Sequence, residues 1–297
     1  MRDLRVLRND GLLILTAAIW GFAFVAQRAG MRHLEPFLFN GVRFGLGTIS
    51  LLPIWILSRS RSTATPAPRH LFWGGFLAGS VLFAGASLQQ IGMVYTTAGK
   101  GGFITGLYVV LVPLMGLFLG HRAGIGRWIG ALFAGAGLYL LSIHGQFTID
   151  RGDLLVFLGA FLWAAHVHVL AYLSPKCPTL ALAALQYAVC SILSLIVAAF
   201  SEPIRIAAIW QAAIPILYGG VCSVGVAYTL QIIAQRRTHP THAAIVLCLE
   251  GPFSVLGGRL ILNETLSLRA IFGCVLMFTG MIAAQSSTRQ RARDPRS

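Results

Sequence analysis

The chain has 297 residues, 56% of them hydrophobic and 11% charged, with a formal net charge of +14 and a mean hydropathy of +0.75. A soluble domain carries about a quarter of its residues as charge, so this deficit excludes an ordinary soluble fold and reads as a polytopic membrane protein. The basic excess does not mark a nucleic-acid partner, because the Lys and Arg residues are spread between apolar runs rather than clustered on soluble segments.

The amino-terminal MRDLRVLRND resembles the basic region of a signal peptide. The apolar run behind it has nearly full span length and no clear small-residue cleavage site, so it reads as a retained first span. Further apolar runs follow, giving expected spans at 11–30, 37–57, 71–93, 99–119, 125–143, 153–173, 180–200, 208–232, 240–260 and 268–286. Each is long enough to cross a bilayer as a helix. With the amino terminus inside, fifteen of the 23 Lys and Arg residues fall on the inner side and seven on the outer, Arg43 lying within the second span. That bias places both termini in the cytoplasm and requires an even number of spans.

In chain order, the first span puts Trp20, Phe24 and Gln27 on one helical face at steps of four and three. The second carries Arg43 toward its outer third, either to attract a substrate carboxylate or to anchor neighbouring helices. Gln89 in the third span is a neutral amide able to bond a zwitterion. The fourth holds Tyr108 and Pro113. The sixth holds Trp163 with His166 on the same face, and the eighth holds Tyr228, Gln231 and Gln235. Glu250, in the ninth span, is the one acid well inside an expected span, with Pro252 two residues on. It can bind an ammonium, carry a proton, or sit hydrogen-bonded between helices. Trp20 and Trp163 lie mid-span rather than at the interface, which suits a cavity wall or packing between repeats. Pro113 and Pro252 each remove a backbone hydrogen bond and are expected to bend the fourth and ninth helices as kinks or hinges.

His166 and His168 diverge on a helix, and His239 and His242 lie near a cytoplasmic end, so none is expected to bind metal. The five scattered cysteines show no disulfide or metal spacing.

The two halves align on themselves. AAIW at 17–20 matches AFLW at 160–163, SLQ at 87–89 matches TLQ at 229–231, and IGALFAGAG at 129–137 matches FGCVLMFTG at 272–280. The common offset of 142–143 pairs Trp20 with Trp163, Tyr108 with Glu250 and Arg43 with Gln186. It divides the chain into two repeats of five spans, 1–148 and 149–297. An odd number of spans per repeat inverts the second half, an arrangement found in secondary transporters with a midplane substrate site. The expected fold is therefore all-α, ten transmembrane helices in two inverted five-helix repeats around a central cavity.

The Trp in the first span of each half, RF at 43–44, GGFITGLYVVLVPLMGLFLGHR at 101–122 and LEGPFSVLGGRLILNETL at 249–266 resemble the EamA-type group of the drug/metabolite transporter superfamily. The resemblance implies export of small metabolites, commonly amino acids, across the inner membrane. It also implies a structural or gating part for Glu250, which this family uses whatever the substrate. The chain departs from the family with LGHR and LNET where LGER is usual, and LEGP where LEP is usual.

The sequence reading is thus a multi-pass transporter of the bacterial inner membrane working by alternating access. The favoured cargo is a neutral, bulky or aromatic amino acid, the alternative a cationic drug, polyamine or other small metabolite. No nucleophile elbow, zinc-ligand signature or aspartate pair points to an enzyme. No GxxxxGK[ST] loop points to ATP. The drive is then the substrate gradient or a proton, with Glu250 the candidate carrier and no cofactor.

Overall fold

The computed structural model describes residues 2–59, 68–120, 124–142, 151–262, 268–269, 271–273, 275–280 and 283. Among them all regular structure is helical. The first half contributes α1 (Arg2–Gly30), α2 (Pro36–Arg59), α3 (Pro68–Tyr95), α4 (Ala98–Gly106), α5 (Tyr108–Phe118) and α6 (Ile125–Ser142). The second contributes α7 (Arg151–Leu173), α8 (Thr179–Ser201), α9 (Ile206–Gln211), α10 (Ala213–Leu217), a π-helix (Tyr218–Tyr228), α11 (Thr229–Gln235), α12 (Pro240–Leu247) and α13 (Glu250–Leu262). Lipid offers no hydrogen bonds, so an apolar segment of this length must satisfy its own backbone as a helix.

Eight described segments are long and apolar enough to cross a membrane, from Val6–Gly30 to Pro240–Ile261. The other two expected spans, 125–143 and 268–286, are described only in part and supply shorter apolar helices, Trp128–Gly137 and Ile271–Gly280. The expected repeat boundary at 148/149, the basic tail at 288–297, Cys274 and most of the two LGER-like stretches lie outside the described residues.

The helices pack across the repeat in matching pairs. α1 packs on α13 and on the π-helix, while α7 packs on α5 and on α3; α2 packs on α8. The halves are inverted. The start of α7 meets the end of α3, where a Cβ added at Gly152 would lie 2.8 Å from Tyr95 Cβ and 2.9 Å from the Gly92 carbonyl. Three crossings separate the end of α3 from the start of α1, so α7 begins on the opposite face. The glycine-rich helices aligned at 129–137 and 272–280 also meet reciprocally. A Cβ at Gly137 would lie 2.5 Å from the Gly273 carbonyl, and one at Gly280 would lie 2.7 Å from the Gly130 carbonyl. Small residues permit this backbone approach.

The surface is the reverse of a water-soluble protein's. Phe118 is 93% exposed and Phe200 90%, whereas Asn40, Gln90 and Gln186 are fully buried. Lipid accepts the former and forces polar groups inward.

Charged side chains close helix ends near the bundle's rim. Arg28 donates to the Met93 and Val94 carbonyls at 2.9 Å each, satisfying the end of α3. The Glu202 carboxylate, just beyond α8, accepts the Phe37 and Leu38 amides at 2.8 and 2.7 Å. It caps α2 and ties the two halves together. Glu202→Ala is expected to cost about 1–2 kcal/mol, read as a lower thermal unfolding midpoint in detergent; an unchanged midpoint would show that the cap contributes nothing.

The fourth and ninth spans are both interrupted. α4 gives way to α5 at Leu107, and α12 gives way to α13 at Cys248 and Leu249. Leu107 and Leu249 each donate three residues back instead of four, to Ile104 and Val246. The second break falls in the turn before Pro252, whose missing N–H leaves the Cys248 carbonyl to accept Gly251 instead. The first falls six residues before Pro113, which α5 accommodates in its interior. Both breaks come immediately before the paired residues Tyr108 and Glu250, which therefore open the second half-helix of their spans.

Candidate functional site

A cavity lies between the halves, on the elements those breaks and pairings bring together. From the first half it is lined by Trp20 and Phe24 on α1, Arg43 on α2, Gln89 on α3 and Tyr108 on α5. From the second it is lined by Trp163 and His166 on α7, Tyr228 of the π-helix, Gln231 on α11 and Glu250 on α13. All ten residues singled out in the sequence as candidate substrate contacts meet here. The space between these side chains, counted out to its open mouth and including room open to solvent, is about 490 Å³.

Tyr228 is the centre of the aromatic lining. Its ring lies 4.6 Å from Trp20 and stacks near-parallel on Trp163 at 6.2 Å. His166 meets it edge-on at 6.2 Å, with Phe44 and Tyr187 behind at 6.1 and 6.0 Å. The two repeat-related tryptophans, one from each half, thus both meet one tyrosine.

The amides fix this cage. Gln89 Oε1 accepts from Trp163 Nε1 at 2.8 Å and from Thr105 at 3.4 Å, and Gln89 Nε2 donates to Gln27 Oε1 at 2.9 Å. Trp20 Nε1 donates to the Ser223 carbonyl at 3.3 Å, and His166 Nε2 pairs with Gln186 at 3.0 Å. Both indole N–H groups are therefore satisfied by protein, leaving their faces for contact.

Two ionisable side chains, Arg43 and Glu250, stand in the lining. Arg43 is 2% exposed; its Nε donates to Asn40 Oδ1 at 3.0 Å, and its guanidinium lies over Phe39 and Phe44 at 5.5 and 4.9 Å. Glu250 is 3% exposed. It starts α13, where the positive end of the helix dipole favours a carboxylate, with the Tyr108 hydroxyl its polar neighbour. Glu250 Oε1 has no hydrogen-bond partner among the described residues.

Thr105, Val167, Ser223 and Leu247 also line the cavity and were not foreseen. Ser223 stands five residues before Tyr228. On an α-helix these positions diverge, but in a π-helix the i→i+5 bond stacks them on one face. Gln235, expected to share the face of Tyr228 and Gln231, is buried outside the lining, and neither of its amide atoms has a partner among the described residues. The histidines set aside in the sequence have structural partners: His168 with the Val112 carbonyl at 2.8 Å, His242 with Asp10 at 2.7 Å, and His239 capping α12.

Besides Glu250, the membrane-length segments Val6–Gly30 and Arg151–Leu173 take in two further buried acids, Asp10 and Asp153, close to their starts.

A polytopic helical bundle of two inverted halves, with a polar and aromatic cavity between them, has the architecture of a secondary transporter. The chain belongs to the EamA-like transporter family, whose profile matches it twice, over residues 8–143 and 150–284. It is a transporter and not an enzyme. It is 31% identical over 274 residues to a transporter of Archaeoglobus fulgidus, covering 91% of this chain and 83% of that one. It is 27% identical over 163 residues to a probable amino-acid metabolite efflux pump of Salmonella typhimurium, covering 53% and 52% of the two chains. A solved crystal structure with 19% identity superposes with a TM-score of 0.77 over 96% of this chain and 99% of the other; at that identity the likeness concerns the fold alone.

Proposed function

We propose that the protein exports amino acids across the bacterial inner membrane by alternating access, with both termini in the cytoplasm and neutral bulky or aromatic side chains favoured. The observation that carries this reading is the cage of Trp20, Trp163 and Tyr228 joined to the amides Gln89 and Gln231 in one cavity. Aromatic faces suit an apolar side chain, and the amides suit a polar head without the cost of full charges. The resemblance to a probable amino-acid metabolite efflux pump points the same way.

The competing cargo is a cationic drug or polyamine. Arg43 stands in the same lining as the single carboxylate and would repel a second cation. Purified protein in proteoliposomes, loaded with one labelled aromatic amino acid and challenged with amino acids, polyamines and cationic dyes, separates the two. Competition by bulky neutral amino acids is expected; competition by polyamines or dyes alone would overturn the amino-acid reading.

The drive is the substrate's own gradient or a proton, with Glu250 the acid placed in the cavity to carry one. A Glu250→Gln variant is expected to lose the pH dependence of flux. If both its flux and its pH dependence match the parent's, Glu250 carries no proton.

A further inference from the structure

We propose that the cavity recognises its substrate as a zwitterion, with Arg43 taking the carboxylate and Glu250 the ammonium. This rests on the cavity being the substrate site and adds how that site selects. The protein pairs its other buried acids: Asp10 with His242 at 2.7 Å, and Asp153 with Lys100 at 3.3 Å and Thr96 at 2.7 Å. Arg43 and Glu250 have no ionic partner among the described residues, although an unpaired buried charge is costly. Each is instead held in place. Asn40 accepts from Arg43 Nε and itself donates to the Ala86 carbonyl at 3.1 Å, while Phe39 and Phe44 lie under the guanidinium plane. The fork of terminal N–H groups has no hydrogen-bond partner among the described residues, and such a fork can bind a carboxylate with two parallel bonds. Glu250 is fixed at the first turn of α13 on the other half, and Tyr228 lies within electrostatic reach of both charges. A ligand that satisfies both carries one carboxylate, one ammonium and no net charge, as an α-amino acid does.

Three competitors sharing one aromatic ring test this in proteoliposomes: the α-amino acid, the arylethylamine lacking the carboxylate, and the arylpropionate lacking the ammonium. Each singly charged analogue is expected to compete about ten-fold more weakly or worse, since a hydrogen bond to a charged group is at stake. Arg43→Gln should erase the preference over the amine and keep that over the acid, and Glu250→Gln the reverse. Analogues that compete with the parent protein as well as the amino acid does would overturn the proposal, and that arm needs no folded variant. Exchange of no amino acid at all would instead overturn the amino-acid reading beneath it.

We also infer that the two acid–base pairs, each built on a buried Asp, are latches closing opposite ends of the path. Asp10 and Asp153 are 143 positions apart, and Lys100 and His242 are 142 apart, the same offsets that relate the repeats. Each pair joins the first helix of one repeat to the start of the fourth span of the other: α1 to α12, and α7 to α4. Each Asp also stands ten residues before the cavity tryptophan of its own helix, about 15 Å along the axis. Because the repeats are inverted, one latch lies toward each face, with the aromatic cage between. Alternating access then needs one pair parted while the other holds.

In a background with the native cysteines replaced by serine, Ser223→Cys reports cavity access to a membrane-impermeant maleimide applied from either face. Asp10→Asn or His242→Gln should raise labelling from the amino-terminal face. Asp153→Asn or Lys100→Gln should raise it from the other face, and Asp→Glu at either position should restore the parent pattern. Unchanged labelling, or increases from the same face for both pairs, would overturn the latches. Using either partner of each pair keeps the test alive if one variant fails to fold.

Discussion

Trp163→Ala should lower kcat/KM for an aromatic amino acid by about ten-fold to a hundred-fold, or about 1.4–2.8 kcal/mol. The indole is 9% exposed, stacks on Tyr228 at 6.2 Å and donates to Gln89 at 2.8 Å. Its removal deletes one wall of the cage and takes away the N–H donor that holds Gln89, the amide that also bonds Gln27 and Thr105. Trp163→Phe keeps a ring and loses only the N–H, so it should fall between. Counterflow kinetics in proteoliposomes make the comparison, with the thermal midpoint of each variant checking that the bundle is intact. Parent-like kinetics in a folded Ala variant would show that this wall does not touch substrate.

Gly21→Val should prevent recovery of a folded protein, and Gly21→Ala should lower its thermal midpoint markedly. An added Cβ would run into Phe253 Cβ and lie 2.8 Å from the Glu250 carbonyl. The obstacle includes backbone, which cannot rotate away as a side chain end can. Overpacking costs about 1–3 kcal/mol where the neighbours can shift, and here the shift would separate α1 from α13, the helices that bring Trp20 and Glu250 to the same lining. A monodisperse, parent-like elution profile and midpoint for the Val variant would contradict this packing.

Much of this arrangement was legible in the sequence because the bilayer leaves so few choices. An apolar run of twenty residues becomes a helix, and a Gln, Trp or Glu inside it must face protein or water. That is why Trp20, Gln89, Trp163 and Glu250, distant in the chain, converge on one cavity. The 142–143 offset then supplied the architecture, since it pairs positions without any knowledge of contacts. Helical spacing failed where the helix is not α. The π-helix brings Ser223 beside Tyr228, and nothing in YGGVCSVGVAY announces a change of period. Pro113 was expected to bend the fourth span; the span is interrupted at Leu107, six residues earlier, and α5 carries Pro113 in its interior. Asp10 and His242 looked like residues near a cytoplasmic end, and only the fold, which closes 232 positions of chain between them, shows them as a buried pair.

The central claim, that the cage between the repeats is where an amino acid is carried, is tested most directly by counterflow of a radiolabelled amino-acid panel into vesicles holding the purified protein. The account predicts saturable exchange of bulky neutral and aromatic amino acids, strongly reduced when Trp20 and Trp163 are both changed to Ala in a protein that remains folded. A flat response across the panel, or undiminished exchange in the double variant, would contradict it.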